Sequence, residues 1–324
     1  MVDCYPGKFM SKPALRDLQM PDDRQTSTFS IVAYDPENGD LGVAVQSKYF
    51  IVGPVVPWAE TGVGAVATQA FVNVSLGPRS LALLKEGVAV ENIVNSLMEE
   101  DEGRDRRQLG VVDALGNAYS YTGKDCTPYA GSKTGEHYAI QGNILTGEAV
   151  IDAMSEAYEA APGGLAERLV AALEAGEEAG GDARGSQSAA LLVVRYGAGR
   201  AGYGDRYVDL RVDDHAAPIV ELRRLLNLQY SNSLVSRSQS LMDDEKNEEA
   251  LEIALKAAIL SPESDVAHLA LCRAFYLNGA KSKAVEEYQI AKTLNPKVDF
   301  SVNRQDRLAF ILEDEAFKES EEEA

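Results

Sequence analysis

Two apolar, β-forming runs joined by a single turn constrain this chain more than any other feature. Residues 28–34, Thr-Phe-Ser-Ile-Val-Ala-Tyr, and 41–47, Leu-Gly-Val-Ala-Val-Gln-Ser, flank Asp35-Pro-Glu-Asn-Gly-Asp40. Pro36 presets φ and Asn38-Gly39 accepts φ > 0, so the pair predicts a β-hairpin. Apolar residues follow one another here (Ile31, Val32, Ala33; Val43, Ala44, Val45) instead of alternating, which predicts burial on both faces. A hairpin buried on both faces belongs in a central layer with other elements packed on either side.

The rest of the first two thirds repeats the theme. A strand is predicted at 62–70. Amphipathic helices follow at 76–85 and 90–98, then a second hairpin at 109–114 and 118–122, and a short strand at 137–141. Helices at about 147–160 and 164–178 flank Pro162-Gly-Gly164. Strands at 188–196 and 207–212 surround a Gly-rich loop, and a helix covers 218–228. Hairpins alternating with helix pairs predict an α+β domain of two antiparallel sheets, face to face, covered by helices on both sides. A doubly wound parallel sheet would place single helices between single strands.

Beyond Tyr230 the character changes. Residues 231–240 are polar and Ser-rich and read as a linker. Ala250, Ala257 and Pro262 recur 34 residues later as Ala284, Ala291 and Pro296, the tetratricopeptide period. This predicts a small all-α helical-repeat domain over 241–312, with a capping helix near 301–312 and an acidic tail at 313–324. So short a repeat favours docking of a protein partner or dimerisation over a long peptide groove. Residues 1–27 read as a flexible leader without the apolar core of a secretory signal.

A net charge of −20 repels phosphate backbones and anionic lipid, so neither nucleic acid nor a membrane surface is the expected partner. No window holds 18 apolar residues, and the expected location is cytoplasmic. Cys4, Cys126 and Cys272 form no CxxC pair, so neither a disulfide framework nor a zinc site is expected, and no cofactor is called for.

Thr28-Phe-Ser-Ile-Val-Ala followed by Gly42-Val-Ala-Val-Gln-Ser-Lys48 resembles the opening hairpin of N-terminal-nucleophile (Ntn) hydrolases. Further stretches are Val56-Pro-Trp-Ala59, Gly62-Val-Gly-Ala-Val-Ala-Thr-Gln69, Gly77-Pro-Arg79, Asp105-Arg-Arg-Gln-Leu-Gly-Val-Val-Asp113, Gln141-Gly-Asn143, Gly180-Gly-Asp182, Gln187-Ser-Ala-Ala-Leu-Leu-Val-Val194 and Leu210-Arg-Val-Asp-Asp-His215. Together they make residues 27–228 similar to the DUF1028 family of Ntn-hydrolase-like proteins. The helical tail resembles a C-terminal domain of some members that is labelled peptidoglycan-binding. The resemblance implies a four-layer αββα sandwich and leaves the activity open between two expectations: an amidohydrolase acting on the C–N bond of a small-molecule substrate, and a catalytically inactive binding or dimerisation module whose helical tail docks a protein.

On that resemblance Thr28 is the nucleophile, with Ser27 and Thr26 in reserve. Such a residue uses its own α-amine as general base, which here requires cleavage between Ser27 and Thr28 or a later start. The plainer reading makes Thr28 a β-branched residue opening a strand. Gln46, Ser47 and Lys48 end the next strand beside it. Thr68 and Gln69 offer oxyanion donors or strand-end hydrogen bonds. Gln141 and Asn143 suit amide or carboxylate recognition, or loop capping. Asp182, Arg184, Gln187 and Ser188 form a further group, in which Arg184 binds a carboxylate or pairs with Asp182. Asp213, Asp214 and His215 are weak metal candidates, since adjacent residues do not converge easily on one ion, and a structural or dimer-contact role is favoured.

Overall fold

The computed structural model describes residues 25, 26, 28–199, 202–298 and 314, and they divide into two compact units at Pro218/Ile219. The first unit contains strands β1 (Gln25–Thr26), β2 (Thr28–Asp35), β3 (Asp40–Ser47), β4 (Pro57–Glu60) and β5 (Gly64–Phe71). Helices α1 (Leu76–Lys85) and α2 (Val90–Glu100) come next, then β6 (Arg107–Asp113), β7 (Ala118–Thr122), β8 (Gly131–Gly135) and β9 (Tyr138–Asn143). Helices α3 (Ala149–Ala160) and α4 (Leu165–Glu178) precede β10 (Ser188–Val194) and β11 (Arg206–Val212).

The strands form two antiparallel sheets. One runs β1-β5-β6-β7, with β4 also on β5; the other runs β11-β10-β3-β2-β9-β8. The predicted opening hairpin occupies the centre of the second sheet, with Thr28 opposite Ser47, Ser30 opposite Val45 and Val32 opposite Val43. Its continuous apolar character follows from that position. Val32, Val43 and Val45 share one core with Ala65, Ala67 and Val112 of the other sheet. The opposite face packs on helix: at Gly42, a Cβ would lie 2.7 Å from Leu169 Cδ1 of α4. On the first sheet, Val66, Leu109 and Val111 pack with Ile93, Val94 and Leu97 of α2.

Two strands escape the sequence pattern. β8 is Gly-Ser-Lys-Thr-Gly, a mostly exposed edge strand without apolar alternation, and β4 is only four residues long. β9 begins at Tyr138, because His137 takes φ 66° in the preceding turn. Of the expected leader, residues 25 and 26 are paired with Phe71 and Ala70; the remainder lies outside the described residues.

The second unit holds α5 (Pro218–Asp243), α6 (Asn247–Leu260), α7 (Asp265–Leu277) and α8 (Lys281–Leu294). Two expectations are corrected here. The boundary falls near 218 instead of 230, and residues 231–240 are helix instead of linker. Ser231 and Ser238, seven residues apart on one face, are fully buried. They donate to Ala257 O (2.9 Å) and Ala250 O (2.8 Å) of α6. Ser233 and Ser236 bond back to the carbonyls of Gln229 and Asn232. The serines thus satisfy themselves on helix backbone, which a composition-based reading takes for loop. The alanines of the 34-residue period, Ala250, Ala257, Ala284 and Ala291, are all fully buried. The expected capping helix at 301–312 and the acidic tail, apart from Asp314, lie outside the described residues.

Candidate functional site

Polar side chains gather between the two sheets at the end of the opening hairpin. Thr28, Ser30, Ser47, Gln69, Gln108, Gln141 and Asn143 are all fully buried. They sit on facing strand surfaces because β side chains alternate: Thr28 and Ser30 are on β2, Gln69 on β5, Gln108 on β6, and Gln141 and Asn143 on β9. Ser30, Gln141 and Asn143 are flanked in sequence by apolar residues or glycine, whereas each of the others has at least one polar neighbour.

The cluster is closely bonded. Thr28 Oγ1 donates to Ser47 Oγ at 3.3 Å. Gln69 Nε2 lies 3.3 Å from Thr28 O, 2.9 Å from Gln108 Oε1 and 3.3 Å from Gln141 O. Asn143 Nδ2 donates to Gln108 Oε1 at 2.9 Å and lies 3.5 Å from Thr28 O. Ser30 Oγ donates to Gln69 Oε1 at 2.6 Å and accepts from Gln141 Nε2 at 2.6 Å. Gln108 Nε2 reaches Gly142 O at 2.7 Å, so this residue of the first sheet holds β9 of the second. Such a network is costly to break, because each orphaned group stays buried. Gly110 makes room for it: a Cβ there would stand 2.1 Å from Gln141 Oε1.

The structure sorts the sequence candidates. Thr28, Ser47, Gln69, Gln141 and Asn143 come together, while Gln46 and Thr68 do not. Gln46 alternates with Ser47 and lies on the helix-covered face, opposite Phe29. It is fully buried, and neither amide atom has a hydrogen-bond partner among the described residues. Thr68 alternates with Gln69 in the same way, and its hydroxyl donates to Asn73 O at 3.2 Å. Neither therefore addresses Thr28, because one step along a strand reverses the face. Thr26 belongs to β1, and Ser27 lies outside the described residues.

The remaining candidates border the same end of the second sheet, where Ser188 pairs with Ser47. The Asp182 carboxylate accepts from Lys48 N (3.2 Å) and Arg184 N (2.9 Å) and pairs with the Arg184 guanidinium (3.1 Å). Its side chain is wholly buried, which favours the ion-pair reading of these two residues. Lys48 Nζ donates to Ser186 O, and Ser188 Oγ donates to Tyr49 O. Gln187 Nε2 donates to Asp214 Oδ1 at 3.0 Å, and His215 Nδ1 accepts from Ala217 N. Asp213 accepts on its backbone from Ile51 N. Among the described residues no group of three His, Cys, Asp or Glu side chains is placed to hold a metal ion. Burial pushes the Cys126 thiol up to about 11, which leaves it protonated and a poor nucleophile.

Ser30, Gln108 and Ser120, whose hydroxyl donates to Gln141 Oε1 at 3.1 Å, were missed as site residues. For Ser30 a signal was present, a lone polar residue inside the apolar run Phe-Ser-Ile; Gln108 follows Arg107 and Ser120 lies between two tyrosines, so neither stands out. Which strands converge is a matter of sheet pairing.

The family model described as "Family of unknown function (DUF1028)" matches residues 28–222, beginning on Thr28 itself. The chain belongs to the DUF1028 family. Among solved structures, the crystal structure of protein SPO2555 from Silicibacter pomeroyi, itself described as DUF1028, is similar. The two share 37% identity with a TM-score of 0.57, over 62% of this chain and 84% of that one. No curated protein matches. The DUF1028 region thus holds the whole polar cluster and stops within α5 of the second unit. Among the described residues no helix is long and apolar enough to cross a membrane.

Proposed function

We propose that the DUF1028 region is a four-layer αββα sandwich of the Ntn-hydrolase type. On this reading its polar cluster is the active site of an amidohydrolase acting on the C–N bond of a small molecule. Thr28 is the nucleophile, latent in the full chain and released by scission of the Ser27–Thr28 bond. The observation that carries the reading is the position of Thr28. It heads one of the two central strands of its sheet, the family match starts on it, and two carboxamides meet its carbonyl while Ser47 takes its hydroxyl.

In the released form the chemistry balances simply. The α-amine accepts the Thr28 hydroxyl proton as Oγ1 bonds to the substrate carbonyl carbon. That proton then passes to the departing amine as the C–N bond breaks. Water, deprotonated by the same amine, cleaves the resulting ester and restores Thr28. Gln69 and Asn143 hold the Thr28 carbonyl and so orient the nucleophile; Gln108 fixes both of them. Intact-mass analysis of the purified protein, with labelling by a hydroxyl-directed electrophile, tests this. A chain beginning at Thr28 and labelled on Thr28 supports the reading. A full-length chain inert to the reagent overturns it.

A second reading has its own support. Thr28 is fully buried, its nitrogen is an amide, and β1 ahead of it pairs with β5. On this view the domain is a catalytically silent homodimerising or binding module. Its tetratricopeptide-like tail, with the period-34 alanines packed inside, docks a protein. Removal of residues 219–324 with an unchanged oligomeric size counts against that role.

A further inference from the structure

Ser120 lies on β7, opposite Gly110 of β6. It is half-buried, whereas Ser30, Gln69, Gln141 and Thr28 are fully buried. From its hydroxyl a single file of hydrogen bonds runs to the Thr28 carbonyl. Ser120 Oγ bonds to Gln141 Oε1 at 3.1 Å and Gln141 Nε2 to Ser30 Oγ at 2.6 Å. Ser30 Oγ then bonds to Gln69 Oε1 at 2.6 Å, and Gln69 Nε2 lies 3.3 Å from Thr28 O. The file passes from the first sheet to the second at Gln141 and returns to the first at Gln69.

Backbone carbonyls, which only accept, fix the direction of every bond. Gln69 turns one end of its amide to two of them, Thr28 O and Gln141 O, each at 3.3 Å. That end is therefore the NH2, and the other is the oxygen. Ser30 must donate to this oxygen. With its one proton committed, Ser30 Oγ accepts from Gln141, whose NH2 also faces Ser30 O at 3.3 Å. The Gln141 oxygen is left for Ser120, which donates to it. All four bonds thus point the same way, toward Thr28. Bonds in series polarise one another, so the hydroxyl at the far end bears on the carbonyl at the near end. Asn143 stands outside this file. It is oriented by Gln108, whose own NH2 faces Gly131 O and Gly142 O.

We infer that Ser120 is a positioning residue for Thr28. Its hydroxyl holds the Gln141 amide and, through Ser30 and Gln69, strengthens the grip on the Thr28 carbonyl that keeps the nucleophile in place. This role rests on Thr28 being the nucleophile; the one-way file of bonds stands without it.

Thr28-Phe29 is the only Thr-Phe pair in the chain. Carbonyl-¹³C threonine combined with ¹⁵N phenylalanine therefore gives one carbonyl–nitrogen signal, that of Thr28, in the purified protein. Ser120→Ala should move this carbonyl upfield, the direction of a weaker hydrogen bond, and Ser30→Ala should move it further the same way. Ser120→Thr, which keeps the hydroxyl, should restore the parent position. Ser155→Ala removes a buried hydroxyl that bonds Tyr138 outside the file, and should leave the signal unmoved. In protein that mass analysis shows to begin at Thr28, Ser120→Ala should react with the hydroxyl-directed electrophile about fivefold more slowly, with Ser120→Thr near the parent rate. An unmoved carbonyl in both alanine variants of the file overturns the relay. A moved carbonyl with an unchanged labelling rate overturns the positioning role. A full-length, inert parent removes the nucleophile and the positioning role with it, a result told apart from the others by the carbonyl, which still follows Ser120.

Discussion

Adding one methyl group at Gly110 should unseat the polar cluster. A Cβ at this position would lie 2.1 Å from Gln141 Oε1, 2.6 Å from its Cδ and 2.8 Å from its Nε2. A relaxed carbon–oxygen contact is about 3.3 Å or more, so the amide must retreat by about 1 Å. It has nowhere cheap to go. Gln141 Oε1 accepts from Ser120 Oγ at 3.1 Å, and Nε2 donates to Ser30 Oγ at 2.6 Å. A shift of that size lengthens both bonds past useful range. Each bond is worth about 1 kcal/mol, and overpacking adds about 1–3 kcal/mol. Alanine returns about 0.5 kcal/mol of backbone entropy. Gly110→Ala should therefore cost about 3 kcal/mol. Urea unfolding followed by the fluorescence of Trp58, the one tryptophan of the chain and part of this unit, measures it directly. In Gly110→Ala/Gln141→Ala the shortened side chain vacates the space, so the double variant should lose no more than Gln141→Ala alone. A loss under about 1 kcal/mol for Gly110→Ala, or simple additivity in the pair, would refute the steric account.

Two further outcomes follow from the same unit. Gln46→Leu replaces a buried amide, whose two polar atoms have no partner among the described residues, with an apolar side chain, so stability should stay level or rise by up to about 2 kcal/mol; a clear loss in the same urea titration would mean the amide is satisfied. Asp101→Asn removes a carboxylate which burial drives upward but which bonds from Arg107, Asn73 and Gly103 N hold, on balance, below 3.8. A lowered folded value means the stabilisation is present above 3.8 and fades as pH falls through the folded value. The variant should lose about 1–2 kcal/mol at pH 7 and show a shallower acid limb; a stability difference from the parent that does not change with pH would contradict this.

The elements of the DUF1028 region were legible because their signals are local. Asp35-Pro-Glu-Asn-Gly-Asp40 specifies a tight turn by its own backbone preferences, and the apolar runs around it announce burial on two faces whatever the partners are. The amphipathic helices are legible for the same reason. β8 was not, because an edge strand has one face in solvent and needs no apolar alternation. The Ser-rich stretch of α5 misled because its hydroxyls bond to backbone carbonyls of its own helix and of α6, and nothing local records the second kind of partner.

The site divides along the same line. Sequence alone placed Thr28 at the head of a strand, put Thr68 and Gln69 at the end of another, and picked out Gln141 and Asn143 as two amides around a glycine. It could not separate Ser47 from Gln46 or Gln69 from Thr68, since neighbours on a strand differ by a reversal of face that only the opposing sheet makes meaningful. Gln108 acquires its part solely because β6 lies across from β9, more than 30 residues away along the chain. Backbone preference and burial pattern are properties of short segments and survive in a string of letters; convergence of side chains from distant strands is set by sheet pairing and packing, and arises only in the folded chain.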